Sequence, residues 1–212
     1  MHLAVFGGSF DPPHNGHLAL CLFARELLAI DRIIISASNN PFKLNRMEAD
    51  EHRKRMATLL SSEINSTGVC SEVSSWELQK KEPSYTVDLL LYLHQLYPGE
   101  SLTLLIGEDN FREFSKWKSV EKIFSLCDIV VFRRASAKPD LISENVALLK
   151  GAVRFIDFDS QISSCTIRKL ALKGHSIARL VPLSVQRYII EHDLYHQQTF
   201  PTSTRVLKHQ ES

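Results

Sequence analysis

The sequence predicts a doubly wound α/β fold built on a parallel sheet, and three observations carry that prediction. Short apolar runs alternate with helix-period segments almost from end to end, the pattern of strand–helix–strand units joined by right-handed crossovers. The runs near residues 33, 104 and 130 are nearly all β-branched or leucine and do not alternate with polar residues. Strands buried on both faces between helical layers have that composition. Finally, the first run ends in two glycines and a polar turn, and sheets of this kind take ligands beyond the carboxyl ends of their strands.

Taken in order, the candidate strands are Leu3–Phe6, Ile33–Ser36, Val69–Val73, Leu102–Ile106, Ile129–Phe132 and Val153–Phe158. A helix is expected from Gly16 to Ala29. A second spans Glu48 to Ile64, where Glu48, Asp50 and Glu51 suit the positive helix start. A third follows Ser84–Thr86 and stops at Pro98-Gly99. Further helical pieces are expected around 109–126 and 140–149. Ser164 or Cys165 opens a segment that Gly174 closes, and Ser184 caps a last helix to about His192.

The 212 residues suffice for one sizeable domain, taken as 1–196, with a frayed polar tail over 197–212. Hydrophobic residues make up 44% and charged residues 23%, as expected of a soluble globular chain. Lys and Arg number 25 against 24 acidic residues, so no overall basic field exists to grip a nucleic acid. Phosphate binding must come from a local site, which points to a small phosphorylated ligand. The cysteines at 21, 70, 127 and 165 are far apart, without a C-x-x-C pair, against a disulfide framework or a cysteine-rich zinc site. The start of the chain has no basic segment ahead of its short apolar run, and no stretch approaches a membrane span. The expected compartment is the cytoplasm; a homo-oligomer is left open.

Chemistry concentrates first in Gly7-Gly8-Ser9-Phe10-Asp11-Pro12-Pro13-His14-Asn15-Gly16-His17. Two glycines after a strand let the backbone turn sharply and approach a ligand. His14 and His17 fall at i, i+3 where a helix begins, and there free N–H groups and the helix dipole already favour an anion. The string is neither a G-x-G-x-x-G loop nor a P-loop, since G-K-[ST] is missing. A zinc pair would need a third ligand, and none is evident nearby. A single histidine here would be an ordinary cap residue; the whole string is hard to explain that way. No residues group into a resident metal site.

The string resembles the signature of the nucleotidyltransferase superfamily with the H-x-G-H motif, and Ile162-Ser163-Ser164-Cys165-Thr166-Ile167-Arg168 resembles that superfamily's second signature. Further stretches are similar to the bacterial nicotinate-nucleotide adenylyltransferases: His52-Arg53-x-x-Met56, Pro83 to Asp88, Ile106-Gly107-x-Asp109 with Trp117, Arg133-Arg134, Leu180-Val181-Pro182, Tyr188-Ile189 and Leu194-Tyr195. Two departures stand out. Asn40-Pro41-Phe42-Lys43 replaces the usual Pro-Pro-His loop, and Cys165 replaces a threonine.

The resemblance implies a Rossmann-like nucleotidyltransferase fold and adenylyl transfer from ATP to nicotinate mononucleotide, with Mg²⁺ carried on the ATP. It implies His14, His17 and Arg168 as the catalytic groups. Gly7, Gly8, Ser9, Phe10, Gly107, Asp109, Arg134, Ser163, Ser164 and Thr166 fall to the ATP site. Asn39, Asn40, Lys43, Tyr85, Thr86 and Trp117 fall to the mononucleotide, with Trp117 stacked on its ring. Taken alone, Arg168 could be a surface ion pair, Ser163-Ser164 an ordinary cap, Trp117 a core residue and Asp109 a turn cap. Rival readings are an adenylyltransferase acting on nicotinamide mononucleotide or phosphopantetheine, a nucleotide-binding module without chemistry, and a tRNA synthetase fragment. The last lacks a K-M-S-K-S-like string.

Overall fold

The computed structural model describes residues 1–40, 47–68, 70–133 and 153–196. Its centre is a six-stranded sheet: β1 (His2–Gly8), β2 (Arg32–Ala37), β3 (Ser71–Ser74), β4 (Ser101–Gly107), β5 (Asp128–Arg133) and β6 (Val153–Asp157). Every neighbouring pair is parallel, in the order β3-β2-β1-β4-β5-β6. The order reverses direction between β1 and β4, and there the crossovers diverge to opposite faces and leave a crevice above the strand ends. Gly7 of β1 and Gly107 of β4 front it, and an added Cβ at either would meet nothing within 4 Å.

Neighbouring side chains of one strand serve opposite layers. On one face Ala4, Phe6, Ile33 and Ile35 pack with Leu20, Cys21 and Ala24 of α1 (Asn15–Leu28) and Leu60 and Ile64 of α2 (Asp50–Asn65). On the other, Leu3, Val5, Ile34 and Leu104 meet Leu90 and Leu93 of α4 (Thr86–Leu96) and Ile123 of α6 (Val120–Leu126). A third cluster joins Met56 on α2 to α7 (Ser164–Leu172) and α8 (Leu183–Glu191) through Ile167, Val185, Ile189 and Tyr195. Helix α2 thus carries the C-terminal helices on its far side.

Several boundaries differ from the expectation. The segment 109–126 is three pieces, α5 (Glu108–Arg112), a 3₁₀ turn (Phe114–Lys116) and α6. Extended backbone at Trp117 and a left-handed Ser119 (φ 55°) interrupt it. Ser184 does not cap the last helix: Pro182 is the cap residue, its carbonyl accepting Gln186 N–H at 2.9 Å, while Ser184 Oγ donates to Glu63. Strand β3 begins at Ser71, and a short helix α3 (Trp76–Gln79) follows that the sequence pattern did not suggest. Gly174 (φ 70°) closes α7 as expected. The helix expected over 140–149 and the tail from 197 lie outside the described residues.

Candidate active site

The loop that leaves β1 is fixed from outside. Phe10 takes a left-handed conformation (φ 49°) that turns its ring into the core, edge-on to Phe6 and His17 at 5.8 and 5.4 Å. A Cβ on Gly8 would lie 2.9 Å from that ring, so only glycine fits there. Three carbonyls of the loop are taken by donors on α2 and α7: Ser9 by Arg53 at 2.8 Å, Asp11 by Arg168 at 2.7 Å and Pro12 by Ser164 at 2.8 Å. Arg53 is wholly buried, and its other fork nitrogen reaches Asp50 at 2.6 Å. Carbonyls engaged in this way leave less negative potential toward a phosphate.

At the start of α1 the rings of His14 and His17 stack at 3.6 Å, 18° from parallel. His17 Nδ1 accepts the main-chain N–H of His14 at 3.2 Å, which puts the proton of the neutral ring on Nε2. His14 is buried, and among the described residues its Nδ1 has no hydrogen-bond partner. Burial pushes the His14 imidazole down to about 4, so the ring is neutral near pH 7. Gly16 makes room for it: a Cβ there would lie 2.5 Å from Ser160 Oγ and 3.0 Å from His14 Nδ1.

The second signature forms the start of α7 against this loop. Ser163 caps it, Oγ accepting Thr166 N–H at 3.2 Å and lying 2.9 Å from the Thr166 hydroxyl. A cavity of about 390 Å³ opens between the two signatures. His14, His17, Ser163 and Ser164 line one side, Gly107, Asp109 and Arg112 another, and Phe132 and Phe158 the apolar end. Glu108, buried beneath, holds Arg112 at 2.6 Å.

Across β1 lies a much smaller hollow of about 30 Å³, bounded by Gly7, Asn40, Glu77, Thr86 and Trp117. Tyr85 and Lys118 border its extension. Its floor is organised by Glu77, a buried carboxylate that accepts Ser36 Oγ and Ser84 Oγ at 2.7 Å each and Asn39 N–H at 3.4 Å. Asn39 also donates to the Glu82 carbonyl at 3.3 Å and accepts Ser84 N–H at 3.3 Å. Asp88 accepts the Tyr85 N–H at 3.3 Å and sits 3.6 Å from Lys118, so its charge is partnered within the wall. Trp117 packs tilted on Phe114 at 5.0 Å, half-buried.

Most of the residues singled out from the sequence fall into two groups on either side of Gly7, whereas Gly8, Ser9 and Arg168 line neither cavity and the Arg168 guanidinium is turned to Asp11. His14, His17, Gly107, Asp109, Ser163 and Ser164 meet at the larger cavity, and Asn40, Tyr85, Thr86 and Trp117 at the smaller. Phe10 stands apart, its side chain in the core, and Thr166 is exposed with its hydroxyl turned to Ser163. Asn39 supports the wall from behind through Glu82 and Ser84. Lys43 and Arg134 lie outside the described residues. Sequence reasoning gave no role to Glu77, Arg53, Ser160 or the carboxylate of Asp11. Asp11 stood inside the motif; nothing around Glu77 marks it, because its partners come from positions 36, 39 and 84.

The model of the cytidylyltransferase-like family matches residues 5–170. A "Probable nicotinate-nucleotide adenylyltransferase" of Pelodictyon phaeoclathratiforme is 59% identical over 196 residues, covering 92% of each chain. Its namesake in Chlorobium phaeobacteroides is 56% identical over 195 residues, covering 92% of this chain and 99% of the relative. Among solved structures, the Plasmodium falciparum nicotinic acid mononucleotide adenylyltransferase complexed with NaAD superposes with a TM-score of 0.73 at 23% identity, over 92% of this chain and 97% of that one. The same enzyme complexed with APC gives the same score. These two likenesses bear on the fold.

Proposed function

From the premise that this chain belongs to the cytidylyltransferase-like family and, within it, to the nicotinate-nucleotide adenylyltransferases, we propose that it transfers the adenylyl group of ATP to nicotinate mononucleotide. The products are nicotinate adenine dinucleotide and pyrophosphate, a step of NAD biosynthesis. An oxygen of the mononucleotide phosphate forms a bond to the α-phosphorus as the bond to the oxygen bridging α- and β-phosphorus breaks. The phosphate is already ionised at neutral pH, so no side-chain nucleophile is needed, and catalysis reduces to alignment and charge stabilisation.

In this reading ATP occupies the larger cavity and the mononucleotide the smaller, with the reacting groups meeting above Gly7. The single observation that carries it is the two-sided crevice, with both signatures lining one side and Trp117 and Thr86 the other. His17 Nε2–H and the His14 ring act on the oxygens of the transferred phosphate, where charge develops. Ser163, Ser164 and Arg168, at the first turns of α7, act on the leaving pyrophosphate. Asp109 takes ribose hydroxyls. Among the described residues no three His, Cys, Asp or Glu side chains group to hold a metal, and we assign Mg²⁺ to the incoming ATP, as counter-charge for its phosphates. Residues 1–196 act as one domain, since α2 is shared between the sheet and the C-terminal helices. Among the described residues no helix is long and apolar enough to cross a membrane. We place the protein in the cytoplasm, where ATP and free thiols coexist.

Selection of the acid over the amide follows from donors at the rim of the smaller cavity, the start of α4 and the backbone after Trp117. An amide NH₂ would leave them unpaired, at about 1–3 kcal/mol per buried group, or roughly 10- to 100-fold in preference. The test is kcat/KM for nicotinate and nicotinamide mononucleotide under identical ATP and Mg²⁺. Equal values, or preference for the amide, would reject the acceptor while leaving adenylyl transfer standing.

A further inference from the structure

Asp11 is completely buried, and it is bonded to three residues that are distant in sequence. Its Oδ1 accepts the Tyr195 hydroxyl at 2.8 Å, and its Oδ2 accepts Met47 N–H at 2.7 Å and lies 3.8 Å from Arg168 Nη1. The same Arg168 nitrogen donates to the Asp11 carbonyl at 2.7 Å. Tyr195, 1% exposed, is itself fixed: its N–H donates to Glu48 at 3.1 Å and its backbone is left-handed (φ 64°). Burial and the neighbouring acids push its hydroxyl pKa strongly upward, so it stays a donor at any working pH. Tyr195 lies beyond residues 5–170, the stretch that the cytidylyltransferase-like model matches, and 184 positions away from Asp11.

A buried carboxylate keeps one orientation only while its donors hold it. Removing the Tyr195 hydroxyl leaves Oδ1 without that donor and frees the group to rotate toward Arg168 or Met47. Either movement changes where the guanidinium sits relative to the loop. We propose that Tyr195 is a positioning residue for adenylyl transfer, acting through Asp11 on Arg168. The inference rests on the site reading above, in which Arg168 grips the ATP phosphates. Through Met47 the same carboxylate also anchors the chain just downstream of the segment that contains Lys43.

The test is a double-mutant cycle of Tyr195→Phe with Arg168→Ala, assayed for kcat, for KM of each substrate and, without turnover, for ATP affinity. Tyr195→Phe should lower kcat/KM for ATP by about 10-fold, with KM for the mononucleotide unchanged within about twofold, and should change almost nothing further once Arg168 is alanine. Equal losses in both backgrounds would overturn the relay, as would a Tyr195→Phe protein that melts earlier yet keeps its ATP parameters. Should Tyr195→Phe fail to fold, Asp11→Asn replaces it in the same cycle with the same expectations. Near-normal activity of Arg168→Ala alone would remove both the relay and the role given to Arg168, which separates that failure from failure of the relay alone.

Discussion

Gly16→Ala is the substitution for which the structure fixes both direction and cause. The new methyl carbon would sit 2.5 Å from Ser160 Oγ, 3.0 Å from His14 Nδ1 and 3.1 Å from His14 Cε1, whereas ordinary contact begins at 3.4 Å. Ser160 can respond by turning one side-chain bond. His14 cannot: its ring is buried and already stacked 3.6 Å from His17, so it must shift by a few tenths of an ångström against its partner. A misplacement of about 1 Å costs about 10²-fold in rate, so a shift of this size is expected to lower kcat by about 10-fold. Stability moves less, because alanine is favoured over glycine in a helix by up to about 1 kcal/mol, which offsets part of an overpacking cost of about 1–3 kcal/mol. The assay is kcat at saturating ATP and mononucleotide, beside a melting curve. The double variant with Ser160→Ala removes the 2.5 Å contact and leaves the one to His14, so the loss should persist. A double variant restored to normal kcat would refute the reasoning, as would a single variant within about twofold of the parent.

Two further outcomes follow from buried groups. His14 titrates near 6.5 when unfolded and at about 4 when folded, so between those values the unfolded chain binds a proton that the folded one does not. Stability should therefore fall as pH drops through that window, by up to about 3 kcal/mol, with no contribution above it; His14→Gln should flatten the curve in urea titrations, and an unchanged slope would sink the assignment. Glu77→Gln should raise KM for the mononucleotide and leave KM for ATP alone, because the new NH₂ opposes the Asn39 N–H or a serine hydroxyl that the carboxylate now accepts. Steady-state kinetics with each substrate varied would show it, and an effect confined to ATP would place Glu77 wrongly.

How much was legible depends on the distance over which each feature is determined. The strand runs around 33, 104 and 130 could be read because burial on both faces leaves no room for polar residues, and all three lie in the sheet. The two histidines and the Ser163 cap could be read because their geometry is set within a helical turn. The helical pieces of 109–126 could be read but not the breaks between them, since those at Trp117 and Ser119 arise from how the chain packs over Phe114 and into α6. Ser184 looked like a cap by residue type, yet its hydroxyl is drawn to Glu63 on α2, 121 positions away. Phe10 sat inside a ligand-binding string, yet one left-handed residue turns its ring into the core.

The same distinction explains how the site is held. Local patterns supply the groups that face the crevice, but their mutual placement depends on long-range bonds made behind it. Ser9, Asp11 and Pro12 give their carbonyls to Arg53, Arg168 and Ser164. Those bonds join the turn after β1 to α2 and α7, so the two signatures move as one body only while they hold. A reaction that needs no protein nucleophile depends on donor placement more than on any one donor's identity. Substitutions behind the loop, at Arg53, Asp11 or Tyr195, should therefore impair turnover though none of these side chains lines either cavity.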